Sequence, residues 1–227
     1  MIRVAILIDG AFYRKRATKL FGVKTAKERA AELEAYCHKH LSSQKNIDTY
    51  LYRIFYYDCP PCDKNIFHPF LKKNINLKKQ DIYKWTLCFF GELKSKRKFA
   101  LRMGRLSDNE AGYILKPDVS KSLFSGKISF NDITESDFML NIKQKTMDMK
   151  LGTDIASMVL KKQVDQIVLI AGDSDFVPAA KLARREGVDF ILDPMGHNIG
   201  DDLKEHIDGI RSHIRRFSPD KEIHEDY

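Results

Sequence analysis

Apolar runs that each stop at an acid recur along this chain. RVAILID (3–9) is continuously apolar up to Asp9, the pattern of a buried parallel strand. TYLYRIFYYD (49–58) is aromatic and branched and stops at Asp58, and QIVLIAGD (166–173) and VDFILD (188–193) repeat the form. Between them, KTAKERAAELEAYCHKHLSS (24–43) has helical spacing and strong helix formers. DSDFVPAAKLARREG (173–187) reads as a helix closed by Gly187, with Pro178 tolerable in its first turn, and GDDLKEHID (200–208) as a short helix. Strands alternating with helices imply a mainly parallel sheet covered on both faces, an α/β fold of three layers, α/β/α. In such sheets ligands bind at the carboxyl ends of the strands, where Asp9, Asp58, Asp173 and Asp193 all stand.

The stretch from about 60 to 140 breaks this rhythm. WTLCFFGEL (85–93) and KFALRMGRL (98–106) read as strands around the basic turn KSKRK (94–98), and residues 107–138 have weak periodicity and frequent breakers. The expected organisation is one domain over 1–217 with an insert at about 60–140 of uncertain structure, followed by a polar tail at 218–227.

Composition narrows the function classes. The 227 residues are 43% hydrophobic, enough for one sizeable core with an elaborated insert. Lys and Arg number 39 against 31 Asp and Glu, a net charge of +8 that favours polyanionic partners, nucleic acid first. Four cysteines in a chain of this length do not make a disulfide scaffold, and a reducing compartment follows. The apolar N-terminal run is too short for a signal sequence or membrane span, and no stretch reaches 18 apolar residues. A cytoplasmic protein without a membrane partner is expected; self-association stays open.

The acids are the candidate chemistry. Asp9 ends the first strand, Asp148 and Asp154 lie in KQKTMDMKLGTDIASMVL (143–160), and Asp173 and Asp175 follow the later strand. Each alone has a plain explanation: Asp173 or Asp175 as a helix N-cap, Asp9 as a loop stabiliser. Asp148 and Asp154 are six apart, about 120° round a regular helix, so both face one site only if Asp148 lies at a frayed start. Together, clustered carboxylates repel unless a cation joins them, and Mg²⁺ or Mn²⁺ takes such hard oxygen ligands.

ILIDGAF, KTMDMKLGTDIASM and VLIAGDSDFVPAAKLARREGVDFIL resemble the NYN-domain family, the LabA-like branch of the PIN-like nucleases. The resemblance covers roughly 1–58 and 140–210. It implies a PIN-like fold and metal-dependent endonucleolytic cleavage of RNA, single-stranded or structured, with Mg²⁺ or Mn²⁺ and water as nucleophile. It assigns Asp9, Asp148, Asp154 and Asp173 as metal ligands and Asp175 as a further catalytic acid, ligand or supporting group. Lys145 would contact phosphate or tether a carboxylate, with Ser174 a further substrate contact. Many relatives carry Asn shortly after the first-strand Asp, where this chain has Phe12 and Tyr13, and the long insert exceeds a minimal domain.

Other features are weaker. Arg14 and Arg16, expected on a loop after Asp9, could neutralise substrate phosphates, and Phe12, Tyr13 or Trp85 could stack bases. His197 lies past a strand end on the same side. CPPC (59–62) has metal-ligand spacing but no second pair, so a loop stiffened by two prolines explains it better than zinc. The rival function is an RNA-binding or regulatory module on the same fold. An aspartyl phosphatase is disfavoured by Ala11, and dinucleotide binding by the lack of GxGxxG after a strand.

Overall fold

The computed structural model describes residues 1–42, 48–107 and 111–214. The polar tail at 218–227 lies outside the described residues. The chain divides into two compact units, one formed by 1–58, 88–104 and the chain from Thr146 onward, the other by 59–87 and 105–145.

The first unit carries β1 (Ile2–Asp9), α1 (Gly10–Phe21), α2 (Ala26–Ser42), β2 (Thr49–Asp58), the end of α3 (Asp81–Ser95) and β3 (Phe99–Met103). It continues with α4 (Met147–Leu160), β4 (Gln166–Ile170), α5 (Val177–Arg185), β5 (Asp189–Asp193), α6 (Asp201–Glu205) and β6 (Gly209–Ile210). All pairings in this six-stranded sheet are parallel, in the order β3-β2-β1-β4-β5-β6. The order reverses between the paired strands β1 and β4, so the chain leaving each of them turns to the opposite half of the sheet, and a crevice opens beyond their carboxyl ends.

Both sheet faces are covered, which is why the strands read as unbroken apolar runs. Val4 to Ile8 of β1 are all buried. Ala5, Leu7, Phe55, Tyr57, Ile167, Leu169, Phe190 and Leu192 share one core with Leu151, Ile155 and Met158 of α4 and Ala180 and Ala183 of α5. On the opposite face Tyr56 packs edge-on against Phe89 of α3, ring centroids 5.6 Å apart, and Tyr36 of α2 reaches Asp193. The expected three-layer α/β/α architecture, consistent with a PIN-like fold, is present.

Two local expectations are corrected. Residues 85–93 are helical: Phe89, Phe90 and Leu93 are buried while Leu87 and Gly91 are exposed, a helical face that the apolar run LCFF disguises as a strand. Residues 98–106 are strand as expected, divided into Phe99–Met103 and Arg105–Leu106. Arg14 to Arg16 lie on α1, not on a loop, because Asp9 caps that helix by accepting from the Phe12 backbone N–H at 3.1 Å.

The second unit is built from antiparallel pairs: Asn65–His68 with Lys73–Asn76, Arg105–Leu106 with Gln144–Lys145, and Gly112–Leu115 with Phe138–Asn141. A helix, Pro117–Phe124, starts with proline in its first turn. Two 3-10 turns at 130–132 and 135–137 carry reciprocal capping boxes from Ser129 and Thr134. All four cysteines are free thiols, and Cys59 is buried, its Sγ donating to the Arg105 carbonyl at 3.5 Å.

At the amino end of the sheet the Arg3 guanidinium donates to both Asp165 oxygens, at 3.0 and 2.8 Å, and its backbone N–H donates to the same carboxylate at 2.7 Å. These bonds hold the Asp165 carboxyl down at about 2. A depressed acid contributes stability above its unfolded value, near 3.9, and loses it as pH falls towards the folded one. Asp165→Asn is therefore expected to lower the urea midpoint modestly at pH 7, with the gap to wild type closing as pH approaches 2.

Candidate functional site

The site begins at the carboxyl end of β1. Asp9 is half-buried, and removal from water lifts its carboxyl above the ordinary range. The Phe12 and Ala11 backbone N–H groups oppose that rise, while repulsion from Asp58 and Asp148 adds to it. Asp58, at the end of neighbouring β2, is fully buried. Arg14 grips it from α1 at 3.1 and 3.2 Å, and the Tyr56 hydroxyl donates to it at 3.2 Å. Arg14 thus compensates a buried acid of its own chain.

This packing leaves no room at Gly10. A Cβ there would lie 2.6 Å from both Asp58 Oδ2 and the Tyr57 carbonyl. Gly10→Ala is expected to destabilise the protein by about 1–3 kcal/mol through overpacking, read as a lowered chemical-denaturation midpoint.

Across the switch point, β4 gives way to Ala171–Asp173, a 3-10 turn at Ser174–Phe176 and then α5. Asp173 and Asp175 are both exposed, and Asp173 Oδ1 accepts from the Asp175 backbone N–H at 3.2 Å. Asp173 therefore serves as a local cap with its carboxylate still facing water. Asp148 lies in the first turn of α4, exposed. Its carboxyl is raised first by partial desolvation, then by Asp175 and Asp173. Asp148 thus stands within electrostatic reach of Asp9 at the end of β1 and of Asp173 and Asp175 in the turn after β4.

Asp154 has partners of its own. Its Oδ2 accepts from the Tyr57 hydroxyl at 2.9 Å and from Arg102 Nε at 2.8 Å. Six residues along the helix turn it about 120° from Asp148, towards Tyr57 of β2 and Arg102 of β3. Tyr13, expected to stack bases, is fully buried, and its hydroxyl donates to Glu32 at 3.1 Å. Arg16 donates from Nε and Nη2 to the Met195 carbonyl, at 3.2 and 2.6 Å. It ties α1 to the segment after β5. Lys145 is exposed and belongs to the second unit. The side chain of Ser174 lies outside the described ones.

Two residues of lesser weight in the sequence flank Asp173. Phe12 from α1 and His197 from the segment after β5 have ring centroids 6.1 Å apart. Between them runs Gly172, where a Cβ would meet Phe12 at 2.5 Å and His197 at 3.2 Å. Asp58 is the neighbour that the sequence reading left out of the site. Its signal was visible, an acid at a strand end, but its burial and its Arg14 partner were not.

The donors suit a hard cation, since every candidate ligand is a carboxylate oxygen. Among the described residues no three His, Cys, Asp or Glu side chains are grouped closely enough to ligate one ion directly. Mg²⁺ is ordinarily held by one or two carboxylates with several retained waters. The arrangement fits an ion held in that way, with the remaining acids reached through water.

Residues 105–208 match the NYN domain. The NYN match takes in Asp148, Asp154, Asp173 and Asp175 and begins well after Asp9, Arg14 and Arg16. NYN domains are generally ribonucleases. No curated protein matches the sequence. Among solved structures, a Vibrio parahaemolyticus protein of unknown function is similar at 11% identity, with a TM-score of 0.44 over 92% of this chain and 91% of that one. Among the described residues no helix is long and apolar enough to cross a membrane.

Proposed function

We propose that this chain is a metal-dependent endoribonuclease of the LabA-like NYN branch, acting at the switch point between β1 and β4. The observation that carries the reading is placement: Asp9 ends β1 and Asp173 follows β4, and these two strands are parallel neighbours whose carboxyl ends lie side by side. Burial is the main cause that lifts the Asp9 and Asp148 carboxyls, with smaller contributions from Asp148 on Asp9 and from Asp175 and Asp173 on Asp148. Structural acids are ordinarily matched by cations, as Asp58 is by Arg14 and Asp154 by Arg102. Carboxylates gathered at one strand end suit a cationic guest. A module that only bound RNA would gain nothing by gathering negative charge where phosphates must approach.

In this reading one or two of Asp9, Asp148 and Asp173 would ligate Mg²⁺ or Mn²⁺ directly and the rest through water, and the bound ion would polarise a phosphodiester and activate water. Asp175 accepts a proton from the attacking water or orients it. Phe12 and His197 line the approach beside Asp173, and Lys145 and Ser174 stay as expected substrate contacts. The free thiols fit work in the reducing cytoplasm.

The test is cleavage of mixed RNA and DNA substrates with Mn²⁺ or EDTA, comparing wild type with Asp9→Asn. Asparagine keeps the cap on α1 and removes the charge. RNA cleavage that needs metal and falls away in the variant is expected. Salt-sensitive RNA binding without cleavage would favour the regulatory module, and metal-dependent cleavage surviving in Asp9→Asn would exclude this site.

A further inference from the structure

Asn65–His68 and Lys73–Asn76 form an antiparallel hairpin in the second unit, with Pro69–Lys72 as its tip and Lys72 in the left-handed region at φ 50°. Its pleat sorts its side chains. Ile66 and His68 point inward and are buried. His68 sits against Tyr113 and Phe138, with ring centroids 4.2 and 5.3 Å away, which pins the hairpin to the neighbouring strand pair. Phe67 points the other way, opposite Asn74, and is 54% exposed; Phe70 at the tip is 44% exposed. The Phe70 ring leans on Phe138, centroids 6.0 Å apart, and keeps its outer part in water, so the anchored hairpin presents Phe67 and the open part of Phe70 together on its outer surface.

Charge says what those rings would meet. Residues 59–87 contain six lysines against two aspartates. Lys72 and Lys73 at the tip and Lys78 and Lys79 in the turn just after the hairpin are all exposed. Exposed aromatic faces interleaved with exposed cationic tips would repel a basic partner and gain little from a neutral one. They match a single-stranded polynucleotide, whose bases stack on rings while its phosphates meet cations.

We propose that the 65–79 hairpin is a binding arm for single-stranded RNA, with Phe67 and Phe70 as stacking platforms and Lys72, Lys73, Lys78 and Lys79 facing the phosphates. It rests on the ribonuclease reading for its choice of RNA, and it assigns binding to residues that lie outside the acidic centre. Stacking of this kind is tolerant of sequence, so the arm confers preference for unpaired strands and not for particular bases.

The test measures the two roles separately. A fluorescein-labelled 12-nucleotide oligouridine is titrated by anisotropy into the full chain carrying Asp173→Asn, in EDTA, so that binding is read without cleavage. Adding Phe67→Ala and Phe70→Ala is expected to raise the Kd by about 10-fold or more, with the circular dichroism spectrum unchanged. Lys78→Ala with Lys79→Ala is expected to flatten the slope of log Kd against log salt by about 1.4, two phosphate contacts on a single strand. A rise in Kd under about 5-fold in the phenylalanine variant overturns the arm. So does unchanged RNA binding accompanied by loss of a self-associated species in sedimentation, which would make the face a protein contact. The same phenylalanine substitutions in the otherwise wild-type chain with Mn²⁺ separate the claims. Cleavage of a short oligonucleotide at saturation that persists in this variant supports the division of labour. RNA binding that depends on the arm in a chain that never cleaves would sink the nuclease reading and leave the arm standing.

Discussion

Asp193→Ala is expected to destabilise the protein by about 3–5 kcal/mol, the scale for removing one partner of a buried charged network. Asp193 ends β5 and is fully buried. It accepts from the Tyr36 hydroxyl at 2.6 Å, bonds His40 Nε2 at 2.9 Å, and accepts from the Met195 backbone N–H at 2.8 Å and from the Ser212 hydroxyl. Truncation strips the acceptor from three hydrogen-bond donors and the partner from an imidazole, all held in α2 or in segments that pack at the end of β5. Each donor left dry costs about 1–3 kcal/mol, partly recovered if water enters the gap. For a chain of this size the loss corresponds to roughly 6–20 °C in Tm. Thermal unfolding followed by circular dichroism reads it directly, and a fall below about 1 kcal/mol would mean that the network is not a structural tie.

Asp173→Asn carries the largest expected effect on activity, a fall in RNA cleavage of about 10²-fold or more, the scale for removing one electrostatic contact of a catalytic centre. The variant separates two roles. Asparagine caps as well as aspartate does, so the acceptor for the Asp175 N–H survives and stability should stay within about 0.5 kcal/mol of wild type. Losing the negative charge also relieves Asp148, whose carboxyl is expected to move back down towards its ordinary range. Single-turnover cleavage at saturating Mn²⁺ measures the effect. A fall under about 3-fold would leave Asp173 as a cap alone.

These two acids show how much of the fold and site was legible in the sequence. Asp173 and Asp193 look alike along the chain, each at the end of an apolar run. What separates them is company from afar: Asp193 meets Tyr36 and His40, more than 150 positions away, and Asp173 does not. The parallel strands were legible because burial on both faces writes a continuous run and the alternation of strands and helices implies parallel pairing, whereas the pairing of β1 with β4 itself is read from the structure. The helix over 85–93 was hidden because two adjacent phenylalanines satisfy a strand pattern and a helical one equally. α1 was missed because Asp9 was read as a ligand, although the same carboxylate caps the helix that carries Arg14 and Arg16. The hairpin arm was illegible for a different reason. Its four-residue strands are too short to establish a period, and only their pairing shows that Phe67 faces outward.

The central claim is that the acids at the β1–β4 switch point bind a divalent cation. Titration of Mn²⁺ into the full chain, with free Mn²⁺ followed by electron paramagnetic resonance, tests it without reference to any substrate. The account predicts saturable binding to wild type, weakened by about 10-fold or more in Asp9→Asn and in Asp173→Asn, while Asp154→Asn binds as wild type. Equal Mn²⁺ binding by wild type, Asp9→Asn and Asp173→Asn would contradict it.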